Sequence, residues 1–304
     1  MGQQYAIISN TGQPCYIGSS VTGTGAIFAP YLAATAPVTT SMGVSHSNHV
    51  VANGGTATGA TTQTAISVFW QRLVNVGLSP LFYCINVFTE SIVASATPIT
   101  SSTNAWLWTN NSFAATDLDK NGLYASSSAK YFDTTMTFAG IGASLNSIGY
   151  SEYLFSADTG ASYNNDFGIW SSGGTNPRFG MQIASGSTSY LDCWSVTNGR
   201  ISGQSSGSGF VSYNRTSATT AAWYFFNSTY TSGSQQTVAS STSLTTDSLP
   251  TGNIYAYRMN GDGNNRNTNK MSFMALHQGL ALSQSAQLYL AVQQLRTDLG
   301  GGYR

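Results

Sequence analysis

The segment AISVFWQRLVNVGL at residues 65–78, then LFYCINVF at 81–88 and, after a polar gap, LDKNGLYASSSAKYFDTT at 118–135, decides the fold. In the first piece Ile66, Phe69, Trp70 and Leu73 recur at i, i+3, i+4 and i+7, the spacing that lines one face of a helix. Thr64 is placed to cap that helix and Gly77 to stop it. The second piece is an apolar run rich in aromatic and β-branched side chains, bounded by Pro80 and by Thr89-Glu90-Ser91. Such a run fits a strand covered on both faces, inside a sheet pair and away from its edges.

From Thr134 onward, short apolar runs recur at roughly ten-residue spacing, each closed by turn residues, which is the pattern of an all-β sandwich. The strands expected are 136–143, 150–157, 167–171, 178–184, 189–192, 210–215, 222–227, 236–240, 254–259 and 271–278. Asp158-Thr159-Gly160, Ser172-Gly173-Gly174, Asn198-Gly199 and Asp262-Gly263 supply the breaks, because these residues accept positive φ at little steric cost. The Ser/Gly tract 202–209 reads as a loop. A terminal helix from near Ser283 puts Leu288, Val292, Leu295 and Leu299 on one face before Gly300-Gly301-Gly302 ends it.

Residues 1–60 hold only short apolar pieces such as Tyr5-Ala6-Ile7-Ile8 and Ala26-Ile27-Phe28, too irregular for a core of their own. They read as an extended arm that adds strands to a neighbouring subunit, or as an extra layer on the same sandwich. The organisation predicted is therefore an arm over 1–60, a helix-strand lead-in over 61–98, and the sandwich with its C-terminal helix over 99–304.

Of 304 residues 41% are apolar, enough for a full core, whereas only 7% are charged and the formal net charge is zero. Ser, Thr, Asn and Gly take the place of Lys and Glu on the surface. Lys and Arg form no run, so steering to nucleic acid or to an anionic membrane is not expected. No segment approaches a membrane span, and Met1 is followed by Gly-Gln-Gln-Tyr with neither a basic region nor a long apolar one, so no secretory signal is read. Gly2 does not mark myristoylation, since position 6 is Ala. A hydroxyl-rich, aromatic-rich and uncharged β surface suits the outside of a cell, where sugars and neighbouring subunits are the partners.

The helix, the buried strand, Asn121-Gly122-Leu123-Tyr124 and Lys130-Tyr131-Phe132-Asp133 together resemble the opening of concanavalin A-like (laminin G-like) jelly rolls in virion proteins of tailed bacteriophages. KMSFMALHQG at 270–279 and ALSQSAQLYLAVQQL at 281–295 resemble the closing strand and terminal helix of those domains, and AWYFFNSTY at 222–230 their late hairpin. That hairpin usually turns on Asn-Gly, where this chain has Asn227-Ser228. The resemblance implies an antiparallel jelly-roll sandwich exposed on a virion; docking to other subunits through the N-terminal arm and assembly as a homo-oligomer are the partner expectations that go with it. It speaks for fold more than for function.

Candidate chemistry is sparse. A glycosidase on such a sandwich needs two carboxylates roughly 5–9 Å apart across a groove. The only Glu residues are Glu90 and Glu152, and Glu152-Tyr-Leu-Phe-Ser-Ala-Asp158 does not reproduce the E-x-D-x-x-E strand of sandwich-fold glucanases. Gly203-Gln204-Ser205-Ser206-Gly207 matches G-x-S-x-G but lacks the strand and helix that make a nucleophile elbow. His46 and His49 lie in a segment with no evident helical face or third metal ligand, and His277 reads as a hydrogen-bonded sheet residue. The 260–267 loop offers the oxygens that Ca²⁺ takes without EF-hand spacing, so a turn is the preferred reading and no cofactor is expected. Cys15, Cys84 and Cys193 show no paired spacing; Cys84 reads as a core hydrophobe and Cys15 as the one placed to cross-link subunits.

Sugar binding asks for an aromatic plate beside Asp or Asn on loops at one end of the sandwich. Tyr163, Asn164, Asn165 and Asp166 followed by Trp170 supply that combination, with Trp194 and Trp223 as further candidates, although each Trp taken singly is more often core than plate in a sandwich. The function expected is thus glycan or host-surface adhesion by a non-enzymatic virion protein. A decoration or cementing subunit and a glycoside hydrolase are the alternatives.

Overall fold

The computed structural model describes residues 6–8, 14–16, 41–127, 129–156, 164–170, 178–183, 189–194, 200–203, 209–226, 236–241, 248–261 and 270–301. The four described helices are α1 (Ser41–Ala52), α2 (Ala60–Asn75), α3 (Ile92–Ala96) and α4 (Leu282–Asp298). The described strands, in chain order, are β1 (Ala6–Ile8), β2 (Pro14–Tyr16), β3 (Phe82–Val87), β4 (Thr100–Ser101), β5 (Thr109–Asn111), β6 (Leu118–Asp119), β7 (Gly122–Tyr124), β8 (Tyr131–Asp133) and β9 (Ile148–Ser156). They continue as β10 (Asn164–Trp170), β11 (Arg178–Ile183), β12 (Ser189–Cys193), β13 (Arg200–Gly203), β14 (Gly209–Arg215), β15 (Ala221–Phe226), β16 (Gln236–Ser241), β17 (Tyr255–Ala256) and β18 (Lys270–His277).

Two sheets face each other, as the all-β sandwich reading expects. One runs β13-β12-β11-β10-β17-β8-β5; the other runs β16-β15-β14-β9-β18-β3-β4, with β7 on β18 and β6 on β7. All strand pairs among the described residues are antiparallel. The period of two in a strand then sorts side chains between two cores. Tyr150, Leu154, Val211, Tyr213, Met274 and Leu276 of the nine-stranded sheet meet Phe132, Phe167, Ile169, Phe179 and Ala256 of the seven-stranded one. Their alternates Tyr153, Phe210, Phe273 and Ala275 meet Phe69 and Leu73 of α2 and Leu288, Val292 and Leu295 of α4. Each of the large aliphatic and aromatic side chains among them contributes roughly 1.5–3 kcal/mol of transfer free energy.

The helix stripe agrees with the sequence reading at Ile66, Phe69 and Leu73, while Trp70 sits half-buried at its margin. The start does not: α2 begins at Ala60, and Thr64 lies inside it. The Glu90 carboxylate accepts the Gly59 N–H at 3.1 Å with each oxygen, placing negative charge at the helix N-terminus in place of a capping hydroxyl. Gly77, at φ +72°, ends the helix as expected, its N–H donating to the Val74 carbonyl at 3.0 Å. The terminal helix starts from Ala281, whose N–H is accepted by Gln284 Oε1 at 2.8 Å.

Other boundaries move. An arm extended through residue 60 is corrected, because residues 41–52 form α1, which buries Val50 and His46 against its neighbours. A sandwich starting at 99 is corrected too: β3 pairs with β18 and β4 inside the nine-stranded sheet, so the former lead-in strand is a core strand. Residues 136–143 make turns and no strand; Ile141 N–H bonds Thr137 O at 3.0 Å, while Met136, Phe138 and Ile141 still fill the core. The 254–259 strand shrinks to β17, since the backbone reverses at Tyr257 with φ +65°. Part of the 202–209 tract belongs to β13. The four expected turns at 158–160, 172–174, 198–199 and 262–263 lie outside the described residues.

A polar cluster sits under α4. His277, fully buried on β18, donates its Nδ1–H to the Gln278 carbonyl at 2.7 Å, and its Nε2 lies 2.7 Å from Ser151 Oγ. Ser151 continues to Ser212 at 2.9 Å and Ser212 to Ser285 at 3.1 Å, while Asn214 Oδ1 accepts the Leu280 N–H at 2.8 Å. Gly149 makes room for this cluster, because a Cβ there would stand 2.4 Å from the imidazole. Burial pushes the His277 pKa down to about 4. Below about pH 6.5 the unfolded chain gains a proton at this ring that the folded chain refuses until about pH 4. Stability should therefore fall on acidification through that window, by roughly 3 kcal/mol at ~1.4 kcal/mol per pH unit. Denaturant melts at pH 7 and near pH 4.5 check this: His277→Gln should cost stability at pH 7 and lose less of it on acidification than the wild type.

Candidate functional site

The residues expected to form a sugar plate do not form one site. Tyr163 lies outside the described residues; Asn164 and Asn165 open β10. Asp166 is fully buried inside the sandwich and does not stand on a loop end. The β10–β11 register slips between Asn165 and Phe167, and this bulge turns Asp166 into the core beside Phe167. Trp194 is also corrected. It is fully buried, donates Nε1–H to the Leu145 carbonyl at 2.9 Å, and stands edge-on to Phe138 at 5.0 Å. Trp223 is a core residue as well. Large aromatics find more stabilisation in the core than at its rim. Trp170 alone is half-buried at a strand end, with the Arg178 guanidinium 5.4 Å from its ring centroid and Asp192 pairing Arg178 at 2.8 Å.

The turn of Asp166 brings two acids together that the sequence kept apart. Glu152 follows Tyr150 by two on β9, so both point between the sheets, and Tyr150 OH donates to Glu152 Oε2 at 2.8 Å. Tyr150 itself stacks on Phe167 at 4.4 Å. Glu152 is fully buried, and burial first, then the facing Asp166, pushes its pKa well above the usual carboxylate range. As a carboxylate its Oε1 meets no donor, whereas a proton on one acid bonds it to the other. The pair is closed to solvent.

A carboxyl whose folded pKa is raised gives stability that is whole below its unfolded pKa and is lost as pH rises toward the folded value. Glu152→Gln should therefore raise stability at pH 8, on the order of 1–3 kcal/mol, because the amide keeps an acceptor for Tyr150 and supplies a donor to Asp166. Thermal melts between pH 5 and 8 should show the variant's advantage growing with pH; an advantage absent at pH 8 would contradict the shared proton.

On the outer face of the seven-stranded sheet a second cluster lies open. Tyr131 and Asp133, two apart on β8, share that face, and Tyr255 of β17 stands directly across from Asp133. The two tyrosine rings stack at 4.8 Å and 28°, and the Arg258 guanidinium lies 4.9 Å from the Tyr131 centroid. Asp133 Oδ1 accepts the Thr135 N–H at 2.8 Å, and Oδ2 accepts the Asn253 amide at 3.1 Å. All five side chains are half-buried. Burial, then Asp133, pushes the Tyr255 phenol upward, so it is a neutral hydroxyl at physiological pH. Among the described residues neither tyrosine hydroxyl has a hydrogen-bond partner within the chain. The sequence showed Tyr131 and Asp133 two apart; only the register of β8 on β17 shows Tyr255 beside them.

His46 and His49 fall on a helix after all, three apart on α1. His46 Nε2 is 3.1 Å from the Thr97 carbonyl, and burial lowers its pKa; His49 stacks on Trp106 at 4.0 Å. No three His, Cys, Asp or Glu residues converge among the described residues. Burial pushes the Cys84 thiol up to about 12 and the Cys193 thiol up to about 11. Of the 260–267 loop, read as a turn with calcium as the alternative, residues 262–267 lie outside the described residues, as do 204–207 of the G-x-S-x-G match. No described helix is long and apolar enough to cross a membrane.

No protein-family model matches the chain and no curated protein does. Solved structures do. A Trypanosoma rangeli sialidase bound to the inhibitor DANA is 10% identical with a TM-score of 0.46, over 70% of this chain and 33% of the sialidase. The same sialidase as a covalent intermediate with 2,3-difluorosialic acid gives 10% and 0.44, over 71% and 33%. An α-L-arabinofuranosidase of family GH54 gives 10% and 0.33, over 58% and 40%. The chain thus spans about a third of the length of the sialidase it matches. These neighbours are glycoside hydrolases, so the expectation that the chain is not an enzyme is withdrawn. At 10% identity the likeness concerns fold and transfers no substrate or catalytic residue.

Proposed function

We propose that this chain is a surface subunit of a tailed-bacteriophage virion, built on a concanavalin A-like jelly roll, that contacts glycan with the outer face of its seven-stranded sheet. One observation carries the reading: α2 and α4 cover the outer face of the nine-stranded sheet, while the seven-stranded sheet turns half-buried Tyr131, Tyr255 and Trp170 outward. In a chain with 7% charged residues and no net charge, the surface binds through hydroxyls, amides and aromatic rings, which is the chemistry a sugar offers in return. The chain's passage from β8 to β9, from β9 to β10, from β13 to β14 and from β16 to β18 by way of β17 moves it between sheets, in keeping with a jelly roll.

A cementing task is favoured by a separate observation. Val44 and Val51 of α1, Val74 of α2 and Leu290 of α4 stay exposed on the helical side, where neighbouring subunits of a homo-oligomer or of the particle would cover them. The two tasks use opposite faces. Mass spectrometry of purified particles should find this chain, and an array of host-surface glycans should retain it; absence from particles would refute virion membership, and an array that retains nothing would leave cementing. Sugar released from retained glycan, measured in the same assay, separates holding from cutting.

A further inference from the structure

We propose that Tyr131 and Tyr255, with Asp133, Asn253 and Arg258, form the saccharide platform itself, selective for neutral pyranose residues. This rests on the glycan-contact reading and places it at one spot. Tyr131 and Tyr255 are held before any ligand arrives: they stack on each other at 4.8 Å, and Arg258 steadies Tyr131 from 4.9 Å. Rings fixed in this way lose little side-chain entropy on binding. Being half-buried, they keep part of their apolar surface open to water, where the C–H face of a pyranose can replace it.

The polar groups around the rings match sugar hydroxyls in kind. The phenol hydroxyls of Tyr131 and Tyr255 have no partner among the described residues and can donate or accept. Asp133 is held at both oxygens, by Thr135 N–H and the Asn253 amide, which fixes its orientation and leaves each oxygen a further lone pair. The fixed carboxylate thus accepts from a hydroxyl without having to reorganise. Asn253 is fixed in turn, because Asn260 Nδ2 donates to its carbonyl at 2.7 Å.

Charge selects the class of sugar. One Asp and one Arg give the cluster no net charge, and the chain as a whole has none to add. Arg258 is engaged with the face of Tyr131, and a carboxylated sugar set on the rings would meet Asp133. Sialylated glycans therefore lose against their neutral cores.

The full chain is tested against paired neutral and sialylated glycans by array and by titration of the strongest neutral hit. Tyr255→Ala and Tyr131→Ala should each weaken neutral-glycan binding about ten-fold or more. Tyr255→Phe, which keeps the stack and loses the hydroxyl, should weaken it only a few-fold. Thermal melts and near-ultraviolet circular dichroism show whether each variant remains folded, and Asp133→Asn probes the same site from a side chain outside the core. Neutral binding that survives both alanine variants, with the fold intact, overturns the platform and leaves glycan contact standing elsewhere. Preference for sialylated glycans overturns the neutral class. A wild-type chain that binds no glycan overturns the platform and the wider reading together.

Discussion

Burial of the nine-stranded sheet on both faces governs the rest of this molecule. Strand β14 is buried at every residue and β3 likewise, and β18 at all but its first. A sheet so apolar on two sides needs two covers. The seven-stranded sheet supplies one and the helices supply the other, which is why α2 and α4 pack as they do although they lie at opposite ends of the chain. Among the described residues the seven-stranded sheet has one cover, and its other face carries half-buried side chains such as Tyr131 and Tyr255.

The same double burial explains why polar residues within β9 matter so much. Ser151 and Glu152 are neighbours in sequence and fall on opposite faces, Ser151 into the cluster under α4 and Glu152 into the space between the sheets. Each meets a titratable partner in the dry interior, His277 on one side and Asp166 on the other. The two clusters respond to pH in opposite senses, since His277 resists taking a proton and Glu152 resists losing one. Acid strains the helical side of the sheet and alkali strains the sandwich side, so stability is squeezed toward a range between them. A sheet with a plain apolar centre would show neither slope.

Much of the fold was legible from the chain alone. Wherever apolar spacing was regular, as in Ile66, Phe69 and Leu73 or in 271–278, element and buried face both followed from it. It failed where a local pattern has two uses. Met136, Phe138 and Ile141 are core residues on turns, because a loop that crosses the end of a sandwich can bury side chains without pairing its backbone. Residues 41–52 carried little signal, being small and polar apart from a few valines; tertiary packing against α2 makes them a helix. The candidate sites were hardest, since a single bulge at Asp166 reverses which way a side chain points, and nothing in the sequence marks it.

The open cluster at Tyr131 and Tyr255 shows why register, and not composition, decides where contact chemistry lies. Both tyrosines sit on short strands, three residues in β8 and two in β17, wedged between β5 and β10. Strands this short contribute few ladder hydrogen bonds, and the reversal at Tyr257 would be costly for a residue with nothing to hold it. Tyr257 is held: its one hydroxyl hydrogen is shared between the Leu123 carbonyl at 2.9 Å and the Met271 carbonyl at 3.2 Å, both on the opposite sheet. This anchor ties the end of β17 through the core: the positive φ at Tyr257 breaks the alternation, so Ala256 and Tyr257 both face inward, while Tyr255, one residue before the inward Ala256, faces out. The outward ring is thus set by register, with Ala256 opposite Phe132 inside and Tyr255 opposite Asp133 outside, while the Tyr257 hydroxyl anchors the strand's end in the core.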